Sequence, residues 1–203
     1  MNCMVDVYNR KTKRDELRFY VDNFGSRIHC LNRPKEKIIV FGNLPYNIST
    51  QILTQWITVH EKFKCYKKLI LMFQKEVADR ILAKTNSRNY GRLSIISNWR
   101  LNIKKEFNIS PQCFFPKPKV ESTLLSFVPK KEFYYIKNPE NLEKITRIFF
   151  NQRRKMIKNP LKQIFKNPEK VAVNFKLDLN LRPQNLSPLT YFNITREYER
   201  LIN

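Results

Sequence analysis

The chain has 203 residues, 42% of them hydrophobic and 13% aromatic, enough to bury a core and too apolar for a disordered segment. Its 39 Lys and Arg against 17 Asp and Glu leave a formal net charge of +22, a field suited to nucleic acid, although a solvated Lys-rich surface would carry the same charge. Cys3, Cys30, Cys65 and Cys113 form no Cys-x-x-Cys pair, and the only histidines are His29 and His60. Neither a zinc-ligand spacing nor a disulfide framework is present, so no metal is expected and the thiols are read as reduced. No apolar stretch approaches the ~20 residues of a membrane span, and "MNCMVDVYNRKTKRDE" has no signal-peptide core; the expected location is the cytoplasm.

In chain order, "CMVDV" reads as a strand, "KRDELRFYVDNF" as a helix, and "RIHCL" and "KIIVF" as strands. Helical spacing over residues 48–59 follows, then the compact run "KLILMF", typical of a strand covered on both faces. This alternation predicts an α/β unit on a parallel sheet. "KEVADRILAK" and "YGRLSIISNW" read as helices and "RLNIKKEFNI" as a strand. Pro116 and Pro118 forbid helix ahead of the β-rich "VESTLLSFV", so the sheet is expected to end in an antiparallel pair.

From about Asn138 the pattern is helical: "NLEKITRIFFNQRRKMIKNPLKQIF", "NPEKVAVNFKL" and "SPLTYFNITREYERLI". Ser187 or Pro188 suits a helix start. The expected domains are residues 1–133, α/β, and residues 134–203, a small all-α unit. Twelve basic residues against four acidic ones between Lys130 and Lys170 make this appendage a candidate electrostatic footprint.

The turn "GNLPYNIST", residues 42–50, joins the strand "KIIVF" to the next helix. The Asn43 carboxamide oxygen can accept a hydrogen bond from an exocyclic amine, Pro45 has no N–H and can leave the Leu44 carbonyl free as a second acceptor, and Tyr46 offers a flat face for a base. Such a set can hold an extruded purine amine, its lone pair aimed at an electrophile. The same residues also serve an ordinary strand-to-helix turn, with Ser49 or Thr50 as N-cap.

"GNLPYNIST", followed in order by "LMFQKEVADRILAK", "YGRLSIISNW", "FFPKPKVESTLLSF" and "FNQRRKMIKNPL", resembles the ribosomal RNA adenine dimethyltransferases over roughly Lys37 to the C-terminus. The resemblance implies a Rossmann-like methyltransferase sheet with a small helical C-terminal domain. It implies S-adenosylmethionine as methyl donor, adenosines of small-subunit rRNA in a pre-30S-like particle as substrate, and a monomer. Asn43, Leu44 and Pro45 would bind the target amine, Tyr46 would stack on the adenine, and Phe114 would pack on its other face, with Phe115 the less constrained neighbour. Arg153, Arg154 and Lys155, expected on one helix, together with Lys158, Arg92, Lys117 and Lys119, are the candidate RNA contacts; Arg92, Lys117 and Lys119 are expected nearer the base pocket. The large-subunit adenine methyltransferases of macrolide resistance share the turn and the Pro-x-Pro strand, but "YGRLS" and "NQRRK" favour the small-subunit group.

The family's Gly-rich cofactor turn has no counterpart here, for the chain holds only Gly25, Gly42 and Gly91 and no Gly-x-Gly. The candidate cofactor contacts are Asn43 and Asp6, so an incomplete S-adenosylmethionine site and an N-terminally shortened member are expected. "KIIVF" would then lie at an exposed apolar edge of the sheet. An RNA-binding assembly factor without catalysis, and a gene fragment without function, are the competing expectations.

Overall fold

The computed structural model describes residues 3–9, 14–21, 28–30, 38–63 and 66–202, with side chains at 39–58 and 66–202. It divides into two compact units. One holds Met1–Asp79 and Arg100–Lys131, the other Arg80–Trp99 and Glu132–Asn203.

The first unit contains two sheets. Strands β1 (Cys3–Asn9), β2 (Arg14–Val21) and β3 (Ile28–Cys30) pair antiparallel in the order β1-β2-β3. This corrects two expectations. "KRDELRFYVDNF" is not helical over Arg14–Val21, because Leu17, Phe19 and Val21 alternate with period 2 beside a ready partner in β1. Nor do these strands extend a parallel sheet.

The second sheet joins β4 (Ile38–Asn43), β5 (Tyr66–Gln74), β6 (Leu101–Ile109) and β7 (Ser122–Pro129) in the order β4-β5-β7-β6. β4 and β5 run parallel, joined through helix α1 (Ser49–Phe63), whereas β7 is antiparallel to both β5 and β6. The sheet therefore ends in the antiparallel pair that the Pro-rich strand entry predicts. Its buried face is set by alternation: Leu69, Leu71 and Phe73 on β5 and Leu125 and Phe127 on β7 are fully buried. The Phe73 and Phe127 rings meet edge to face, 6.0 Å between centroids, a contact typical of packed cores. α1 turns Ile52, Leu53, Trp56 and Ile57 inward, the spacing of one helical face. β4 is an edge strand of this sheet, and Ile39 (46%) and Phe41 (69%) are exposed on it.

In the second unit, α3 (Arg92–Arg100) accompanies α4 (Pro139–Asn151), α5 (Lys158–Ile164), α6 (Pro168–Asn174) and α7 (Pro188–Ile202); α2 (Lys75–Leu82) spans the division between the units. Pro occupies the first turn of α4 and of α6, each behind an Asn N-cap, Asn138 and Asn167, whose side chain accepts a backbone N–H, the position where a missing N–H costs nothing. The core is aromatic. Tyr191 meets Phe149 edge to face at 5.3 Å and stacks on Phe150 at 5.8 Å, and its hydroxyl donates to the Pro183 carbonyl at 2.7 Å. Tyr90 donates likewise to Leu186, at 3.0 Å, so both buried phenols are satisfied.

The run "NLEKITRIFFNQRRKMIKNPLKQIF" is not one helix. α4 stops at Asn151, and residues 152–157 turn before α5, tied by Lys155 N–H to the Gln152 carbonyl (2.8 Å) and Ile157 N–H to the Leu181 carbonyl (2.8 Å). Among the described residues no helix is long and apolar enough to cross a membrane.

Candidate base-binding cleft

The chain leaves β4 at Asn43 and enters α1 at Ser49. Gly42 leaves room for its neighbours: a Cβ there would lie 2.8 Å from Leu71 Cδ2 and 3.3 Å from Leu44 Cδ2, so a side chain at this position would force the fully buried Leu71 to shift. The turn closes through Ile48 N–H to the Pro45 carbonyl (3.2 Å) and Ser49 Oγ to the Tyr46 carbonyl (3.1 Å). Leu44 is buried and anchors the turn. Asn43 is exposed, and neither its carboxamide nor the Leu44 carbonyl has a hydrogen-bond partner among the described residues. Two acceptors therefore stand open at the carboxyl end of a parallel strand.

The opposite wall comes from the segment ahead of β7. Ser110 caps a short 3₁₀ turn, Pro111–Cys113, and Phe114 follows it in extended conformation. Asn43, Leu44, Pro45 and Tyr46 line one cleft of about 350 Å³ with Phe114, Phe115, Pro116 and Pro118, and Met72, the β5 neighbour of Asn43 in register, lies beneath. The five residues read as the base site are thus brought together.

Two side chains to which the sequence assigns no role support it. Ser122, fully buried at the start of β7, lies 2.7 Å from the Tyr46 hydroxyl through its Oγ and so fixes the ring from its far end. Met72 closes the floor. Phe115 stands at the rim fully exposed (103%). The loop behind it is pinned to α2, since Lys75 Nζ binds Glu121 Oε2 at 2.8 Å and Lys75 N–H binds the Glu121 carbonyl at 2.9 Å. The side-chain hydrogen bond holds the Glu121 carboxyl below its ordinary pKa and raises the Lys75 ammonium. Lys117 and Lys119 in the same loop are exposed and have no carboxylate partner among the described residues.

The remaining candidates are placed differently. Asp6 stands on β1 opposite Arg18, its side chain outside those described. Arg92 opens α3 in the second unit, where its charge opposes the burial that raises the Glu143 carboxyl. Arg153, Arg154 and Lys155 lie in the turn after α4 and not on a helix. Within that turn Arg153 is committed to its own unit, donating through Nε to Gln184 Oε1 (3.3 Å) and through Nη2 to the Arg88 carbonyl. Arg154 and Lys155 are exposed. Lys158, at the start of α5, pairs with Glu169 at 3.4 Å.

The mixed sheet thus carries an Asn-Leu-Pro-Tyr turn that shares one cleft with an aromatic, Pro-rich strand entry. The sequence profile of the family described as "Ribosomal RNA adenine dimethylase" matches residues 5–200, and the chain belongs to that family. It is 58% identical over 166 residues to "Ribosomal RNA small subunit methyltransferase A" of Pelagibacter ubique (strain HTCC1062), covering 82% of this chain and 63% of the relative. It is 46% identical over 148 residues to the protein of the same description from Wolbachia sp. subsp. Drosophila simulans (strain wRi), covering 73% of this chain and 53% of the relative. The chain thus spans between about half and two-thirds of the length of these relatives. Among solved structures, a dimethyladenosine transferase from Plasmodium falciparum matches with a TM-score of 0.67 at 23% identity, over 84% of this chain and 70% of that one. The 23S rRNA methyltransferase ErmE matches with 0.56 at 16%, over 87% and 70%. At these identities the two structures speak to the fold alone.

Proposed function

We propose that this chain carries the adenine-binding part of an rRNA adenine dimethyltransferase acting on small-subunit rRNA with S-adenosylmethionine as methyl donor. The observation that carries the reading is the cleft itself: two open acceptors, from Asn43 and Leu44, beside the Tyr46 and Phe114 rings. The acceptors take the two N–H bonds of an adenine amine, which turns the nitrogen lone pair out of the base plane, and the rings hold the base by its faces. Buried Leu44 anchors the turn that presents both acceptors. Positioning of this kind supplies much of the acceleration in a transfer that needs no shifted general base.

A cleft of about 350 Å³ lies at the small end of the roughly 300–1,000 Å³ usual for ligand sites. It suits one base. No carboxylate lines it among the described residues, and the Asp6 side chain lies outside them, so the described residues fit the acceptor base and do not make a site for the donor's ribose. Exposed Arg154 and Lys155, with Lys117 and Lys119 beside the cleft, are read as phosphate contacts.

The test is transfer of labelled methyl from S-adenosylmethionine to small-subunit rRNA by the wild type and by Asn43→Ala. The reading expects label in RNA adenosines with the wild type, and at least a hundredfold slower transfer with RNA affinity kept within about twofold in the variant. Wild-type RNA binding with no transfer, and no heat on titration with millimolar S-adenosylmethionine, would make the chain an RNA-binding factor instead.

A further inference from the structure

The second unit contains a cavity of about 510 Å³ that the adenine reading does not use. Tyr134 and Phe175 give it aromatic walls, and α7 brings Arg196, Glu197, Glu199 and Arg200 to it. With Lys137 also in its lining, the cavity carries three cationic side chains against two carboxylates. Glu199 is buried, and its carboxylate accepts from the backbone N–H groups of Lys137 (2.9 Å) and Asn138 (2.8 Å) and from Asn141 Nδ2 (3.0 Å). Glu197 is held by Arg200 through two bonds, Nε to Oε2 at 2.9 Å and Nη2 to Oε1 at 2.7 Å; that pairing first, and Lys170 nearby, keep its carboxyl below the ordinary range. Glu197 is thus neutralised by Arg200, while Glu199 is buried and directed at three neutral donors of its own fold.

Arg196 is the contrast. Its guanidinium lies 5.2 Å from the centroid of the Tyr134 ring, is exposed, and has no carboxylate partner among the described residues. The ring beneath it is fixed, since the Tyr134 hydroxyl donates to Asn193 Oδ1 at 2.7 Å and Phe192 packs beside it at 5.8 Å. A flat guanidinium stacked on an immobilised aromatic keeps its N–H edge for an anion and its face for another planar group. A wholly apolar ligand would leave that edge unused, and a basic peptide would meet the charge of Arg196. A planar heterocycle bearing a phosphate satisfies ring, face and edge together.

We propose that this cavity binds one unpaired nucleotide of the RNA, its base against Phe175 and the Arg196–Tyr134 stack and its phosphate on the Arg196 edge. It is a second nucleotide site, separate from the adenine cleft, and it rests on the reading that the partner is RNA.

The test uses the whole chain and a short single-stranded RNA carrying 4-thiouridine. Anisotropy titrations compare wild type, Arg196→Lys and Arg196→Glu, with melting temperatures as a control for folding, and ultraviolet crosslinks are mapped by mass spectrometry. Arg196→Glu should weaken binding about tenfold at an unchanged melting temperature, Arg196→Lys should weaken it less, and crosslinked peptides should contain Tyr134 or Phe175. Affinity within twofold of wild type in Arg196→Glu, crosslinks lying only elsewhere, or a wild type that does not bind the RNA would each overturn the proposal. If Arg196→Glu is silent while Asn43→Ala still abolishes methyl transfer, the second site falls and the adenine cleft stands. If Arg196→Glu and the crosslinks behave as expected while Asn43→Ala transfers methyl normally, the reverse holds.

Discussion

Tyr46 and Ser122 are 76 positions apart in sequence, yet the phenol oxygen of one lies 2.7 Å from the hydroxyl oxygen of the other. Because Ser122 is fully buried at the first position of β7, the ring of Tyr46 is held at both ends: by the backbone of the turn and by the sheet. The aromatic wall of the cleft is thereby set before any base arrives. Tyr46→Phe keeps the face and loses the tether, so it should cost about 0.5–1.5 kcal/mol of folding stability and weaken RNA binding less than Tyr46→Ala does. Denaturant melts and RNA titrations of the two variants would check this. Equal binding losses in both would put the hydroxyl, and not the ring face, at the centre of the site.

The three basic residues after α4 should separate by role. Arg153 holds Gln184 and the Arg88 carbonyl, so Arg153→Ala should lower the melting temperature. The double change Arg154→Ala and Lys155→Ala should leave it unchanged and reduce the slope of log K against log salt by up to about 2, roughly one for each phosphate no longer neutralised. Titrations at several salt concentrations read the slope. An unaltered slope would assign both side chains to the solvated surface.

Burial pushes the Tyr90 and Tyr191 phenols above their ordinary value of 10.0. In each the folded chain keeps the proton more tightly than the unfolded chain. Their contribution is therefore fully present below pH about 10 and is lost as pH rises above it toward the higher folded values. The melting temperature should fall steeply above pH 10, and Tyr90→Phe should make the alkaline fall shallower. An alkaline fall equally steep in Tyr90→Phe and in the wild type would contradict the burial argument.

How far the sequence reveals all this follows from where each signal lies. The turn from β4 to α1 is readable because "KIIVF", a Pro that cannot continue a strand, and a helical repeat stand in immediate succession. The pairing of β6 with β7 is readable because the prolines before "VESTLLSFV" exclude a helical crossover. β2 misleads because its charged start, "RDEL", carries helix formers while its period-2 signal, Leu17, Phe19 and Val21, is only three residues long. Pairing with β1 decides, and that partner is not a local property. The end of α4 is hidden for a related reason: no Gly or Pro marks it, and the chain turns because Ile157 is tied to Leu181. Ser122 in "VEST" and Met72 in "LMFQ" lie in segments that carry the resemblance but show no role there, and only the strand register brings them to the cleft. The second cavity is less visible still, since Tyr134, Phe175 and Arg196 come from three separated stretches.

The central claim is that Asn43 and Leu44 read the amino group of an adenine placed between Tyr46 and Phe114. Its most direct measurement is a cycle of four affinities: wild type and Asn43→Ala, each with a short RNA holding two adjacent unpaired adenosines and with the same RNA carrying purine riboside, which lacks the amine, at both positions. The wild type should prefer adenosine by about tenfold to a hundredfold, the net worth of two hydrogen bonds, and Asn43→Ala should lose the share of that preference owed to its own bond. No preference in the wild type, or the same preference in both proteins, would contradict it.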